Sequence, residues 1–233
     1  MSWQGLIPTI WLIRRFVHRM TTPHDAEEIS WSLGETAALA TKAARGAGMP
    51  WGLADETGVA VSWLHAHGIP GLAALCRYLK WRDNGNVTQW PDRPAGAACY
   101  CPIALGTAYM DGAIPLTLAT GTIREPVLML PFIAKRASIQ PLQVNVGPLT
   151  INVSADGVFS PYLDTALLIS QADCAIESAT DAPAITAYDL TPRVPSYFFG
   201  CVTALQEFAK KTYAPATEES RLAGAGAGLN DND

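Results

Sequence analysis

Between Leu142 and Val153 apolar and polar residues alternate on both sides of Gly147-Pro148, and this pattern constrains the fold more than any other stretch of the chain. Successive side chains of a strand point to opposite faces, so strict alternation marks a strand with one buried side. If Gly147 and Pro148 form the turn, with glycine first as a type II′ turn requires, then Val146 faces Leu149, Val144 faces Ile151 and Leu142 faces Val153. All six apolar side chains then share one face and need a core to cover it. Gln143, Asn145, Thr150 and Asn152 share the other, which can be solvated or turned towards a ligand. A lone hairpin is marginal in water, so more strands are required. Apolar runs predict them at Ile114–Ala119, Val127–Phe132 and Cys174–Ser178, with Cys99–Leu105 a strand interrupted by Pro102. Their short spacing argues for an antiparallel sheet and against a doubly wound one.

The first third of the chain reads as helices. Ser32-Leu33-Gly34-Glu35 has the form of a capping box, and Leu33, Ala37, Ala40 and Ala44 follow at helical spacing. Gly46 and Gly48 supply the stop, and Met49-Pro50 an extended turn. A second helix is expected from Trp51 or Gly52 to about His67, with Asp55 and Glu56 in its first turn and Gly68 at its end. Gly58 lies inside that helix, where it costs about 1 kcal/mol against alanine, so something should approach its backbone closely. A third helix starts at Pro70 and carries the stripe Leu72, Leu75, Cys76 and Leu79. Towards the end Cys201, Val202, Leu205 and Phe208 mark one more amphipathic helix, stopping near Tyr213.

The fold class expected is therefore α+β: a helical N-terminal lobe of three helices, an antiparallel sheet and a C-terminal helix. Lys80 to Pro94 is rich in turn residues, and no tryptophan or histidine follows Trp90. The expected divisions are an extension at 1–29, in which Met20 is an alternative start, a helical lobe at 30–81, a β-rich region with the C-terminal helix at 95–213, and a glycine-rich tail at 214–233.

With 233 residues the chain can bury a core without disulfides or structural metal. Its formal charge of −5 argues against a nucleic-acid partner, which clustered Lys and Arg would draw. No apolar run is long enough to span a bilayer. The five cysteines at irregular spacing read as reduced thiols of a cytoplasmic protein. Cys99 and Cys101 would lie on one face of a strand, either as a redox or metal pair or as small buried residues. His65 and His67 read as ordinary helix-end histidines. Nucleotide-binding glycine motifs, a serine elbow and a paired-histidine zinc motif are all missing, so the sequence calls for no cofactor and no metal.

The least generic stretch is Lys42–Gly58, which sets Arg45, Gly46, Gly48, Trp51 and Glu56 around one break between helices. Arg45 with glycine-turn amides beside a helix start suits a carboxylate or phosphate. In the tail, Arg221 followed by Gly224, Gly226 and Gly228 echoes Arg45 followed by Gly46 and Gly48. RGAG at 45–48, WGLA at 51–54, the acidic pair Asp55-Glu56 and Trp63-Leu64 together resemble the signature of an uncharacterised, mainly proteobacterial domain-of-unknown-function family. That resemblance runs from about Ser30 to Leu79; it implies a bacterial protein and brings no catalytic residue with it.

Three functions fit these residues. One is a cofactor-independent lyase, isomerase or hydrolase acting on a small anionic metabolite, with Arg45 and Arg221 holding the anion and Glu56 or Asp231 as general acid or base. Another is a non-catalytic subunit or assembly partner that docks through the helical lobe or the acidic tail. The third, homo-oligomerisation, is compatible with either.

Overall fold

The computed structural model describes residues 30–86, 99–154, 157–160, 168–179, 193–194 and 199–213. The expectations about the 1–29 extension and the 214–233 tail lie outside them.

Helix α1 (Leu33–Gly46) begins with the capping box that the sequence announces. The Glu35 amide donates to Ser32 Oγ at 3.1 Å and the Ser32 amide donates to Glu35 Oε2 at 2.8 Å, so two free donors of the helix end are satisfied reciprocally. At the other end Gly48 takes φ +80°, and the Met49 amide turns back to the Ala44 carbonyl. Helix α2 (Trp51–Ala66) then packs along α1. The contact is close because of Gly58: a Cβ there would lie 2.2 Å from Thr41 Oγ1 and 2.9 Å from the Ala37 carbonyl oxygen. Asp55 and Glu56 fall beyond the first turn of α2, which contains no acid, because the helix starts at Trp51.

Gly68, at φ +71°, turns the chain into α3 (Gly71–Asp83). His65 supports this corner. Its Nε2 accepts the Leu72 amide at 3.0 Å, capping one free donor of α3 and placing the ring proton on Nδ1. Burial pushes the imidazole down to about 4 from an ordinary 6.5. The unfolded chain therefore binds a proton that the folded chain refuses, and His65 costs stability as the pH falls below 6.5, with the full loss reached near 4. The shift corresponds to about 3 kcal/mol. Denaturation midpoints measured from pH 7 to pH 4 should fall more steeply for the native chain than for His65→Leu, the difference isolating this group from the carboxylates.

Beyond residue 98 come α4 (Pro102–Met110), β2 (Leu118–Arg124), a 3-10 turn (Pro126–Met129) that runs into α5 (Leu130–Arg136), β3 (Leu142–Val146), β4 (Leu149–Ser154), β5 (Gly157–Phe159) and β6 (Gln171–Ser178). Helix α6 (Phe199–Lys210) returns to the helical lobe and packs on α1 and α3. A short pair, β1 (Trp31–Ser32) with β7 (Arg193–Val194), stands apart from the main sheet. That sheet has five antiparallel strands in the order β2-β6-β3-β4-β5. The β3–β4 register is the expected one, Val146 opposite Leu149, Val144 opposite Ile151 and Leu142 opposite Val153. Gly147 takes φ +54°, as the first residue of such a turn must. On the outer face Thr150 Oγ1 donates to Asn145 Oδ1 at 3.0 Å.

Three expected strands are corrected. Val127–Phe132 is the 3-10 turn and the start of α5, and every one of its residues is buried. A run apolar on all sides looks the same for a buried strand and a buried helix, and here it is wedged between the helices and the sheet. Cys99–Leu105 contributes only an isolated bridge from Tyr100 to Ile123 before α4 begins. Pro102, which interrupts a strand, is well suited to the first helical position, and the Cys101 sulfur accepts the Ala104 amide at 3.5 Å as its cap. Of Ile114–Ala119 only Leu118 and Ala119 enter β2, which continues instead to Arg124 along β6.

The core is continuous. Leu39, Leu64, Leu75 and Leu205 of the helices, Tyr109 and Phe132 of the middle segment, and Val144, Ile151 and Ile176 of the sheet belong to one cluster. The segment Pro102–Arg136, minus its strand, thus forms a middle layer against which both sides are sealed.

Candidate functional site

Arg45 lies in the last turn of α1. Its Nη1 donates to the Met49 carbonyl at 2.5 Å, which draws the guanidinium across the break onto α2. There it stacks over the Trp51 ring, 3.8 Å from the ring centroid. Its Nε is buried and has no hydrogen-bond partner among the described residues. Trp51 is the first residue of α2 and is 69% exposed. Pro50, the N-cap, has no side-chain donor or acceptor to offer, so it caps none of the first amides of α2. Space over Gly52 is open, with no atom within 4 Å of where a Cβ would stand.

The glycines do different work from the one their spacing suggested. The amides of Ala47, Gly48 and Met49 are already bonded to the carbonyls of Ala43, Arg45 and Ala44. Gly46 is where α6 touches α1: a Cβ on it would stand 1.8 Å from the Phe208 carbonyl oxygen. The donors left for an anion are therefore those of α2 and Arg45. Glu56 is half-buried in the second turn of α2 and forms no ion pair with Arg45 among the described residues. Arg221, Gly224, Gly226, Gly228 and Asp231 lie outside the described residues.

A second polar centre escaped the sequence reading. Arg77 Nε donates to both Glu125 carboxylate oxygens at 3.0 and 3.1 Å, and Nη2 donates to Oε2 at 2.6 Å. Glu125 is fully buried, whereas the Arg77 side chain keeps 41% exposure. The glutamate sits between β2 and the 3-10 turn in the left-handed region, at φ 50° and ψ 62°. It is held there by its amide to the Ser170 carbonyl, 2.7 Å, and by the Leu128 amide donating to its carbonyl, 3.0 Å. Burial pushes its carboxyl upward, while the Arg77 hydrogen bonds and charge and then Arg124 pull it back. Reciprocally, the hydrogen bonds to Glu125 raise the Arg77 guanidinium. The fork geometry favours the ionised pair. Beside it Arg124 lies over the Trp81 ring at 5.3 Å and has a buried Nε without a partner among the described residues.

What a sequence reader could have noticed is Glu125 before Pro126, a place that disfavours right-handed helical backbone. The pairing of positions 48 apart could not be noticed from one sequence.

Residues 31–96 match the model of a family described as Protein of unknown function (DUF3726). The expected kind of family is thus the one found. No curated protein and no solved structure matches the chain.

The DUF3726 segment contains α1, α2 and α3, and with them Arg45, Trp51, Glu56 and Arg77. It ends before the main sheet, so Glu125 reaches the segment from outside it. Among the described residues no helix is long and apolar enough to cross a membrane.

Proposed function

We propose that the protein binds a small anionic metabolite, a carboxylate or a phosphate ester, at the start of α2. The observation that carries this reading is Arg45 held over the exposed Trp51, with a buried Nε that no described residue satisfies, beside helix amides that the N-cap residue Pro50 leaves uncapped. Guanidinium and helix N-terminus both favour negative charge, and the fixed stack removes part of the ordering cost of binding. Catalysis at this place would fall to Glu56, one turn further along α2, as acid or base in a cofactor-independent lyase, isomerase or hydrolase.

A panel of carboxylates and phosphate esters, screened by thermal unfolding, tests the reading. A ligand at 100 times its Kd raises stability by about 2.7 kcal/mol. The shift should vanish in Arg45→Ala, while Glu56→Gln should keep binding and lose only turnover. A shift that survives Arg45→Ala sinks the proposal.

The alternative, a docking role, has its own observation: Trp51 and Val59 stand 69% and 64% exposed on one side of α2. Exposed apolar side chains grouped on one helix suit a protein partner. That reading gains if no anion binds and Trp51→Ala with Val59→Ser leaves folding intact but abolishes a stable complex.

A further inference from the structure

Helices α1 and α6 approach closely at Gly46, where a Cβ would stand 1.8 Å from the Phe208 carbonyl oxygen. Towards the start of α1 they part. The Lys42 ammonium stands 5.9 Å from the centroid of the Tyr213 ring, so passing back along α1 from Gly46 corresponds to passing forward along α6 and beyond its last residue, Lys210. Between the two lies a groove of about 440 Å³, within the range of about 300–1,000 Å³ that small-molecule sites occupy. Small side chains make the room, Ala38 from α1 and Ala209 from α6. The buried Leu39 and Ala209 give it an apolar floor, and Trp31 and the 61% exposed Tyr213 add aromatic surface. Neither Arg45 nor Trp51 lines it.

Two lysines line this groove, and their charge is available. Lys42 makes no hydrogen bond and no ion pair among the described residues, and its ring contact with Tyr213 leaves the ammonium protons unused. Lys210 pairs with Glu207 at 2.5 Å, but the two side chains are 64% and 62% exposed, so water screens the pair and a ligand can replace it at little cost. The acid of the lining, Glu35, is already engaged. Its Oε2 accepts the Ser32 amide and the Ser32 hydroxyl, both at 2.8 Å, at the capping-box end of α1 and two turns from Lys42.

We propose that the groove between α1 and α6 binds a small amphipathic carboxylate, its apolar body on Leu39 and Ala209 and its charged end at Lys42 and Lys210. The apolar floor supplies the area and the ammonium groups fix which way round the molecule lies. A carboxylate suits this lining better than a phosphate ester, because the groove has no arginine fork to match several oxygens at once. The site is independent of the one at the start of α2 and does not rest on that reading.

The test titrates the full chain with 2-naphthoate by calorimetry, with 2-naphthamide as the uncharged molecule of the same shape. The expected result is saturable one-to-one binding of the naphthoate, weaker by about tenfold for the amide, the worth of one charge-assisted hydrogen bond. Lys42→Met should weaken the naphthoate by about the same factor and Lys42→Arg should keep it. Ala38→Trp, which fills the groove from an exposed position, should abolish binding at an unchanged Tm. Arg45→Ala should leave binding as it is, which separates this site from the one on α2. Equal affinity for the amide, binding that survives Ala38→Trp, or binding lost in Arg45→Ala overturns the proposal. So does the absence of binding at millimolar naphthoate. If binding then appears on combining Glu218→Gln, Glu219→Gln, Asp231→Asn and Asp233→Asn, the groove belongs to the chain's own acidic end instead.

Discussion

Gly46→Ala should lose more than about 3 kcal/mol of folding stability, read as a lower midpoint in chemical denaturation with an unchanged slope. The added carbon would sit 1.8 Å from the Phe208 carbonyl oxygen and 2.6 Å from the carbonyl carbon. Neither neighbour is the movable end of a side chain. Both belong to the backbone of α6, so the whole helix must withdraw from α1, opening the contact that Leu205 and Phe208 fill. Two companions calibrate the effect. Gly48→Ala meets nothing within 4 Å but must hold φ +80°, a strain of about 1 kcal/mol. Gly34→Ala meets only Ser32 Oγ, at 3.9 Å, and gains helix propensity, so it should be neutral or mildly stabilising. Loss of under about 1 kcal/mol for Gly46→Ala would mean that α6 does not sit on α1 as described.

Arg77→Ala should cost about 3 kcal/mol, because it strands the Glu125 carboxylate in the interior. The figure belongs at the lower end of the range for broken buried pairs, since the Arg77 side chain remains 41% exposed and water can partly replace it. Glu125→Gln should cost less, for the amide keeps an oxygen to accept from the guanidinium and the remaining charge is the exposed one. The informative variant is the double replacement Arg77→Met with Glu125→Leu. If the pair specifies position more than it supplies stability, the double variant should recover most of what Arg77→Ala loses, and a thermodynamic cycle would show strong coupling. Additive losses in that cycle would show that Arg77 and Glu125 do not act as a unit.

These two sites mark the boundary of what one sequence discloses. The hairpin was legible to the residue, because a two-residue turn and strict alternation leave only one register that buries Leu142, Val144, Val146, Ile151 and Val153 together. The capping box and the close approach at Gly58 were legible for the same reason: both are local rules with few exceptions. Val127–Phe132 was not, since a segment buried on every side has no period to read. Cys99–Leu105 went astray because Pro102 is compatible with a broken strand and with a helix start, and only the course of the chain decides.

At the candidate site Arg45 and Trp51 were singled out only as residues around one break between helices, and the stacking of one on the other was not read. Gly46 was singled out as a helix stop with amides that could face an anion, whereas it stays within α1 and its lack of a side chain admits the Phe208 backbone. That distinction needs the far end of the chain, which no local pattern contains. Arg77 and Glu125 were missed altogether, because a buried ion pair is a property of two positions that the fold alone brings together.

The Tyr100–Ile123 bridge has a consequence for how copies of this chain can meet. In the order β2-β6-β3-β4-β5 the outer margins of the sheet are β2 and β5. The Tyr100 amide donates to the Thr122 carbonyl and its carbonyl accepts from the Arg124 amide, so the free backbone of β2 is already occupied there. At the opposite margin β5 offers only Gly157–Phe159, too short to template a neighbour's strand. Among the described residues, growth of the main sheet from one molecule into the next, the route by which β proteins aggregate or swap segments, is therefore hindered at the Thr122–Arg124 end of β2 and at the short β5.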